Sequence, residues 1–242
     1  MKGIENIFMK ICGLQKTTLL DFPGHVAATV FLNGCNFRCP FCHNKDLLDS
    51  QAAELLTQGE LLSFLKKRSS VLEGVCISGG EPTLYKEELV KFIDSIKELG
   101  YLVKLDTNGY QPALLESLCR KQLLDYIAMD IKSGRFHYAQ VCGVSSLDVT
   151  VIEKSAKFLM TGTVPYEFRT TTVKGLHTAA DFEDISLWIG GCSQYFLQSF
   201  TDSGNVLKDG FASFNRKELE DFLLIVQKTI PHAQIRGVDS LH

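Results

Sequence analysis

Residues 26–44 read Val-Ala-Ala-Thr-Val-Phe-Leu-Asn-Gly-Cys-Asn-Phe-Arg-Cys-Pro-Phe-Cys-His-Asn. The first seven are apolar or β-branched at consecutive positions, which predicts a strand covered on both faces. The loop that follows carries Cys35, Cys39 and Cys42 in the spacing C-x3-C-x2-C. Among eight cysteines in 242 residues this spacing is expected roughly 0.01 times by chance, so we interpret the three thiols as one functional cluster.

Strand-like runs alternate with helix-like segments through the rest of the chain. Short runs rich in Val, Ile, Phe, Tyr and Thr predict strands at 26–32, 74–78, 101–106, 126–131, 166–173, 195–200 and, as a weaker pattern, 233–238. Apolar residues at helical spacing predict helices across 89–99, 152–159 and 219–230. Thr57 with Glu60, and Asn215 with Glu218, predict capping boxes at two helix N-termini, and Gly100 predicts a helix end.

This alternation predicts an α/β fold with parallel strands joined by right-handed crossovers. No Gly-x-Gly-x-x-Gly follows the first strand, which disfavours a doubly wound nucleotide-binding sheet. The length is near the short end for eight βα units, so a partial barrel of about six units fits best. Its ligands would bind at the carboxyl ends of the strands. We predict one domain over 1–242, with an N-terminal extension at 1–24 and the barrel at 25–242.

The composition bounds the class of protein. Hydrophobic residues make up 45% and charged residues 22%, and a chain this long buries about 70–75% of its unfolded surface, which excludes a disordered protein. The net charge of −3 argues against a nucleic-acid partner. No apolar run approaches the ~18 residues of a membrane helix, and the N-terminus lacks a signal-peptide layout. We therefore expect a cytoplasmic protein without a membrane partner.

The cysteine loop leaves three kinds of site open. In a reducing compartment clustered cysteines indicate metal or redox chemistry. Structural zinc takes four ligands, usually as two separated pairs; here His43 would have to be the fourth. An electron-transfer cluster is normally held by four cysteines. An iron–sulfur cubane on three cysteines leaves one iron open to an outside ligand and is catalytic, and we favour this interpretation. The remaining cysteines are interpreted as small buried hydrophobes: Cys12, Cys76, Cys119, Cys142 and Cys192.

These residues resemble a known family. The triad with the aromatic Phe41 before its last cysteine resembles radical S-adenosylmethionine (SAM) enzymes. The stretch Gly-Leu-Gln-Lys-Thr-Thr-Leu-Leu-Asp-Phe-Pro-Gly at 13–24 and the loop itself are similar to anaerobic ribonucleoside-triphosphate reductase activating proteins. They are slightly less similar to pyruvate formate-lyase activating enzymes. The resemblance covers nearly the whole chain. It implies a TIM-like partial (βα)6 barrel with SAM and a [4Fe–4S] cluster on Cys35, Cys39 and Cys42.

The turn after the second predicted strand carries Gly79, Gly80 and Glu81. Two glycines let a backbone approach a ligand closely, and a carboxylate accepts hydrogen bonds from an ammonium group. A tight βα turn without a ligand is the plain alternative. The resemblance assigns Glu81 and the glycine backbone to the amino group of SAM.

Polar residues also end the next two strands. Asp106, Thr107 and Asn108 stand where related enzymes place their SAM site, although this composition is also that of an ordinary turn. Asp130 and Lys132 match an Asp-hydrophobic-Lys motif whose lysine holds the SAM carboxylate. Two carboxylates brought together favour a cation. Related enzymes bind a monovalent cation there, so the resemblance implies one near Asp106 and Asp130.

Two further residues complete the expected cofactor-binding set. Arg169 is a charge within a predicted buried strand and needs a partner: SAM, the surroundings of Glu81, or an internal salt bridge. Gln198 is the last polar residue of its strand. Pyruvate formate-lyase activating enzymes tend to carry a histidine in this region, so Gln198 favours the reductase-activating branch.

The resemblance also implies the reaction. The reduced cluster gives one electron to SAM, which yields methionine and a 5′-deoxyadenosyl radical, and no acid–base residue is needed apart from the cluster. The radical takes a hydrogen atom from a glycine of a glycyl radical enzyme, and we expect anaerobic ribonucleotide reductase. Pyruvate formate-lyase or a small-molecule reaction are the alternatives. Flavodoxin or ferredoxin is the expected electron donor.

Overall fold

The computed structural model describes residues 8–49, 52–202 and 204–238, so part of the predicted extension, residues 1–7, lies outside the described residues. Strands and helices alternate through these ranges. The strands are β1 (Ile11–Thr18), β2 (Ala27–Leu32), β3 (Gly74–Gly79), β4 (Leu102–Thr107), β5 (Tyr126–Asp130), β6 (Tyr166–Thr172), β7 (Tyr195–Ser199) and β8 (Gln234–Arg236). The helices are α1 (Gln58–Arg68), α2 (Lys86–Glu98), α3 (Pro112–Arg120), α4 (Tyr138–Val141), α5 (Val149–Met160), α6 (Ala179–Trp188) and α7 (Arg216–Gln227).

One compact unit is formed by the described parts of 1–36, 46–107 and 113–127. Its strands follow chain order: β2, β3 and β4 are parallel, and β1 is antiparallel to β2. Val30, Ile77 and Leu105 lie in one row across the three parallel strands and are fully buried. Such consecutive apolar strands agree with the predicted burial on both faces.

The helices of this unit begin and end where their sequence signals predict. Thr57 and Glu60 form the predicted capping box at the start of α1, with the Thr57 side chain accepting from the Glu60 backbone N–H. Gly100, after α2, has φ +86°, a left-handed conformation that suits a residue without a side chain.

The other unit is formed by 37–45, 108–112 and the described residues from 128 to 238. In it β6, β7 and β8 are parallel and in chain order. Asn215 and Glu218 form the second predicted capping box, at the start of α7. The rings of Phe182 and Phe222 stack at 4.4 Å, which packs α6 against α7.

The α/β class, the mostly parallel strands and the partial-barrel type are confirmed, and each predicted strand is present to within about two residues. Strand β1 was not predicted. Its centre is polar and partly exposed, and its pairing with β2 is interrupted by two register shifts. The single domain over 1–242 stays a prediction. None of the helices in the described ranges has the length and apolarity needed to cross a membrane.

An ion pair between a buried carboxylate and a partly exposed arginine joins β6 to the short strand β8. The Glu167 carboxylate, only 2% exposed, accepts two parallel hydrogen bonds from the guanidinium of Arg236, at 2.9 and 3.0 Å. The guanidinium also lies over the ring of Phe196 on β7. A carboxylate removed from water needs such a bidentate partner, so this pair fixes the last strand of the unit.

We predict that Arg236→Met lowers the free energy of unfolding by about 1–3 kcal/mol, because it removes the bidentate partner of a buried carboxylate. Arg216→Met is the matched control. It removes an arginine–glutamate pair whose two side chains are 70% and 50% exposed, and it should change stability by about 0.5 kcal/mol or less. Urea unfolding of both variants measures the difference. Equal effects would show that the Glu167 pair does not hold β8.

Candidate active site

The loop after β2 begins in the first unit and continues in the second: Cys35 belongs to the first, Cys39 and Cys42 to the second. In the first unit, Gly34 has φ +71° and its backbone N–H donates to the carbonyl of Leu47 at 2.6 Å. The carbonyl of Gly34 accepts from the backbone N–H of Glu81 at 2.7 Å. The residue before Cys35 is therefore held by its backbone on both sides.

The two glycines of the turn after β3 lie directly against this loop. A Cβ on Gly80 would fall 1.9 Å from the carbonyl oxygen of Gly34, and one on Gly79 would fall 2.2 Å from that of Leu32. Gly79 also has φ +122°. Any side chain here would push the backbone that carries Cys35 away from the end of β3, so the glycines serve backbone contact within the protein.

Glu81 is a buried carboxylate at the start of a short 3₁₀ helix. Its Oε1 accepts from the Thr83 backbone N–H at 3.1 Å, from the Thr83 hydroxyl at 2.5 Å and from the Thr107 hydroxyl at 2.8 Å. These bonds orient the carboxylate and join two predicted site residues, Glu81 and Thr107, across β3 and β4. A carboxylate that is oriented by bonds to one of its oxygens has a fixed direction in which it can accept from a further donor.

Asp106 has a partner that the sequence pattern did not identify. Lys104, two residues earlier on β4, is buried, and its ammonium forms an ion pair with the Asp106 carboxylate. The same ammonium lies 3.7 Å from the thiol sulfur of Cys76. The signal in the sequence is the spacing, because residues two apart on a strand lie on the same face.

In the second unit, Asp130 is held by two cations. The ammonium of Lys132 donates to Oδ2 at 2.8 Å and Nε of Arg169 donates to Oδ1 at 2.9 Å. Burial alone would raise the pKa of Asp130, but the charges of Arg169 and Lys132 outweigh it and hold the pKa well below its usual range. Of the three partners considered for Arg169, the structure displays the internal salt bridge.

Cys39 lies in a polar microenvironment of this unit. A hydrogen bond from Cys142 lowers the pKa of the Cys39 thiol against the effect of burial, and the charge of Lys132 lowers it further. The backbone N–H of Arg38 donates to the carbonyl of Cys142 at 2.8 Å. Cys142, interpreted from sequence as a lone buried hydrophobe, is thus buried next to the cysteine loop. Burial raises the pKa of Cys42.

The loop thiols fit an iron–sulfur cluster by their chemistry. Thiolates are the ligands of such clusters, and a nearby ammonium together with a thiol donor favours the thiolate at Cys39. The close backbone contact at Gly34 keeps the start of the loop in place. Within the described residues, no three His, Cys, Asp or Glu side chains are gathered as a ready ligand set.

The remaining predicted residues are placed as follows. Phe41 is buried, with its ring edge-on to His177 at 6.4 Å. The side-chain oxygen of Asn108 accepts a hydrogen bond from the backbone N–H of Tyr110 at 3.0 Å. This local bond is typical of an ordinary turn, which was the alternative to a SAM-binding role for residues 106–108. Gln198 lies half-buried on β7, and its carbonyl accepts from the Thr172 hydroxyl at 3.0 Å.

His177 is a positioning residue that the sequence analysis missed. Its Nδ1 accepts from the Val173 backbone N–H at 3.0 Å, so the ring proton lies on Nε2, which donates to the carbonyl of Lys132 at 2.7 Å. Burial lowers the pKa of His177, although its backbone hydrogen bonds oppose this. The neutral ring thus fixes the backbone of Lys132.

Comparison with known proteins agrees with the family resemblance of the cysteine loop. A model of the Radical SAM superfamily matches residues 29–184. A protein of Methanocaldococcus jannaschii named as a glycyl-radical enzyme activating enzyme is 30% identical over 240 residues, which is 95% of this chain and 96% of that protein. The pyruvate formate-lyase 1-activating enzyme of Escherichia coli K12 is 28% identical over 84% of this chain and 79% of its own length.

Solved structures share the fold at low sequence identity. A domain of a pyruvate-formate lyase-activating enzyme from Bacteroides vulgatus superposes with a TM-score of 0.56 at 18% identity, over 68% of this chain and 99% of that one. QueE from Escherichia coli gives a TM-score of 0.54 at 14% identity, over 94% of this chain and 93% of that one. These similarities concern the fold alone.

We predict that Gly80→Ala destabilises the protein by about 1–3 kcal/mol, the usual cost of overpacking, because the new Cβ collides with the Gly34 carbonyl. Gly59→Ala in α1 is the matched control, since nothing lies within 4 Å of the place that its Cβ would take; it should be neutral or stabilise by up to about 1 kcal/mol. Urea unfolding compares the two. A tolerated alanine at Gly80 would contradict the backbone contact.

We predict that His177 makes stability fall as the pH drops below about 6.5, the ordinary histidine pKa. Its pKa is lowered in the folded state, so below that pH the unfolded chain binds a proton that the folded chain resists. The free energy of unfolding, measured by urea between about pH 7.5 and pH 5.5, should lose this part of its slope in His177→Gln. His232→Gln, at an exposed histidine, should keep it. Identical slopes in both variants would refute the assignment.

Proposed function

Since the chain belongs to the radical SAM superfamily and, within it, to the glycyl-radical enzyme activating enzymes, we propose that it reductively cleaves SAM and forms a glycyl radical on a partner enzyme. The observation that carries the proposal is the C-x3-C-x2-C loop, held at Gly34 against the glycine turn that precedes Glu81. A structural zinc module or a simple electron carrier would not need that turn to lie against the loop.

Cys35, Cys39 and Cys42 are proposed as the ligands of a [4Fe–4S] cluster. When bound, this cluster supplies the single electron that cleaves SAM to methionine and a 5′-deoxyadenosyl radical. The hydrogen bond from Cys142 and the nearby ammonium of Lys132 favour the thiolate form of Cys39, and Phe41 is buried beside the last cysteine. No separate acid or base is proposed, because the step transfers an electron and then a hydrogen atom.

Two charged residues are proposed to bind the amino-acid part of SAM. The Glu81 carboxylate, oriented by Thr83 and Thr107, accepts from the amino group. The Lys132 ammonium donates to the SAM carboxylate while its backbone is fixed by His177. Gly79, Gly80, Asp106, Asn108, Asp130, Arg169 and Gln198 complete the proposed set of SAM-binding and supporting residues.

The proposed partner is anaerobic ribonucleotide reductase. The radical removes a hydrogen atom from a backbone glycine, which gives 5′-deoxyadenosine and a glycyl radical. The segment 13–24 and the presence of Gln198 where a histidine is usual in the other branch favour this partner. Pyruvate formate-lyase is the second candidate, because a relative that matches over 84% of this chain is named as a pyruvate formate-lyase 1-activating enzyme. Flavodoxin or ferredoxin is proposed as electron donor, and the cytoplasmic location stays a prediction.

The proposal predicts that the anaerobically reconstituted protein, with SAM and dithionite, releases methionine and 5′-deoxyadenosine. Cys39→Ala should abolish this release, measured by chromatography, and lose the bound iron and the brown absorbance. Cys192→Ala, a buried cysteine of the same unit, should keep all three. Adding the candidate reductase should give a doublet glycyl-radical signal in electron paramagnetic resonance.

The outcomes separate the competing functions. Full iron content and SAM cleavage in Cys39→Ala would overturn the cluster assignment. A colourless protein indifferent to reductant would indicate zinc, and a brown protein that never cleaves SAM would indicate an electron carrier. A glycyl radical on pyruvate formate-lyase instead of the reductase would keep the reaction and change the partner.

A further inference from the structure

A buried lysine lies in the middle of β4, where the reaction proposed above does not require one. Lys104 is 1% exposed, and lysine is almost never buried to this extent unless it is paired. Its ammonium forms an ion pair with Asp106 and has the Cys76 sulfur 3.7 Å away. Because an unpaired buried ammonium is strongly disfavoured, Lys104 and Asp106 depend on each other.

Asp106 and Asp130, the two carboxylates for which a cation site was expected, are each paired with a cationic side chain of the same unit. Asp106 has Lys104, and Asp130 has Lys132 at 2.8 Å and Arg169 at 2.9 Å. A metal cation bound to such carboxylates would add a positive charge beside one already present, in surroundings with little water to screen the repulsion. The residues present therefore do not fit a monovalent metal ion.

We infer that the ammonium of Lys104 is the permanent counter-ion of Asp106 and replaces the monovalent metal ion that the family resemblance implies. The inference rests on the proposed function, because it assigns Lys104 as a positioning residue for the SAM site. A tethered ammonium carries the same single charge as potassium and donates up to three hydrogen bonds. It needs no ion from solution.

The pair also holds the strand end that supports Glu81. Asp106 is followed directly by Thr107, whose hydroxyl donates to the Glu81 carboxylate at 2.8 Å. If Asp106 lost its counter-ion, the buried end of β4 would have to rearrange or admit a cation. Lys104 thus acts on the SAM site through Asp106 and Thr107, without touching SAM.

The test measures cation binding directly. Thallium(I) is a spin-½ mimic of potassium, and its NMR line broadens and shifts when it binds a protein. For the wild-type chain, with and without its cluster, we expect that the thallium line shows no broadening that potassium reverses. We also expect the same melting temperature in potassium chloride and in choline chloride of equal ionic strength. Thallium binding to the wild type that potassium displaces would overturn the inference.

Variants test the role of the ammonium. Lys104→Met should melt at a lower temperature in choline chloride, recover part of the loss in potassium chloride, and broaden the thallium line. Lys104→Arg should stay indifferent to potassium, which keeps the test decisive if the methionine variant cannot be purified. Lys91→Met, at an exposed lysine of α2, is the control and should match the wild type.

A SAM titration links the pair to the site. In Lys104→Met, SAM affinity should fall by about tenfold or more in choline chloride, roughly the worth of one charge-assisted contact, and recover in potassium chloride. Unchanged affinity of this variant in choline chloride would contradict the positioning role. If the wild type binds no SAM in either salt, the proposed function fails, whereas the thallium and melting results still decide the counter-ion.

Discussion

The contact between the carbonyl of Gly34 and the backbone of Gly80 is the constraint on which the candidate site depends. It brings the start of the cysteine loop against the turn after β3 with no room for a side chain. The hydrogen bond from the Glu81 backbone to the same carbonyl holds this arrangement. The start of the cysteine loop thus gains its position from backbone atoms, so the proposed ligation by its thiols would not have to hold the loop in place.

Buried charge is the second organising feature. Glu81 and Glu167 are each nearly inaccessible to water, and each has a charged or hydroxyl partner from another strand. Such groups are costly when unpaired, so they select one arrangement of neighbouring strands over alternatives. In the first unit, the hydrogen bond from Thr107 to Glu81 therefore supports both the proposed site and the packing of its strands. In the second unit, the pair of Glu167 with Arg236 supports strand packing alone.

Much of the fold was predictable, because apolar runs and capping residues are local signals. Strand β1 escaped because its centre is Gln-Lys and its pairing is irregular. The site was predictable as a set of residue types at strand ends, but not as a set of contacts. The bond from Cys142 to Cys39 could not be predicted, since only the folded chain brings these two residues together. The pair of Lys104 with Asp106 is local, because residues two apart on a strand share one face, but the sequence does not show that the lysine is buried.

The double pairing of Asp130 has a consequence for ligand capture. When an anion binds a lysine that is already paired with a buried carboxylate, that carboxylate normally loses its counter-ion. The free-energy cost of leaving it unpaired weakens the binding of the anion. If Lys132 binds the SAM carboxylate as proposed, Arg169 would continue to neutralise Asp130. The number of ion pairs would then stay unchanged, and the incoming carboxylate would compete with one oxygen of Asp130 without leaving a buried charge unpaired.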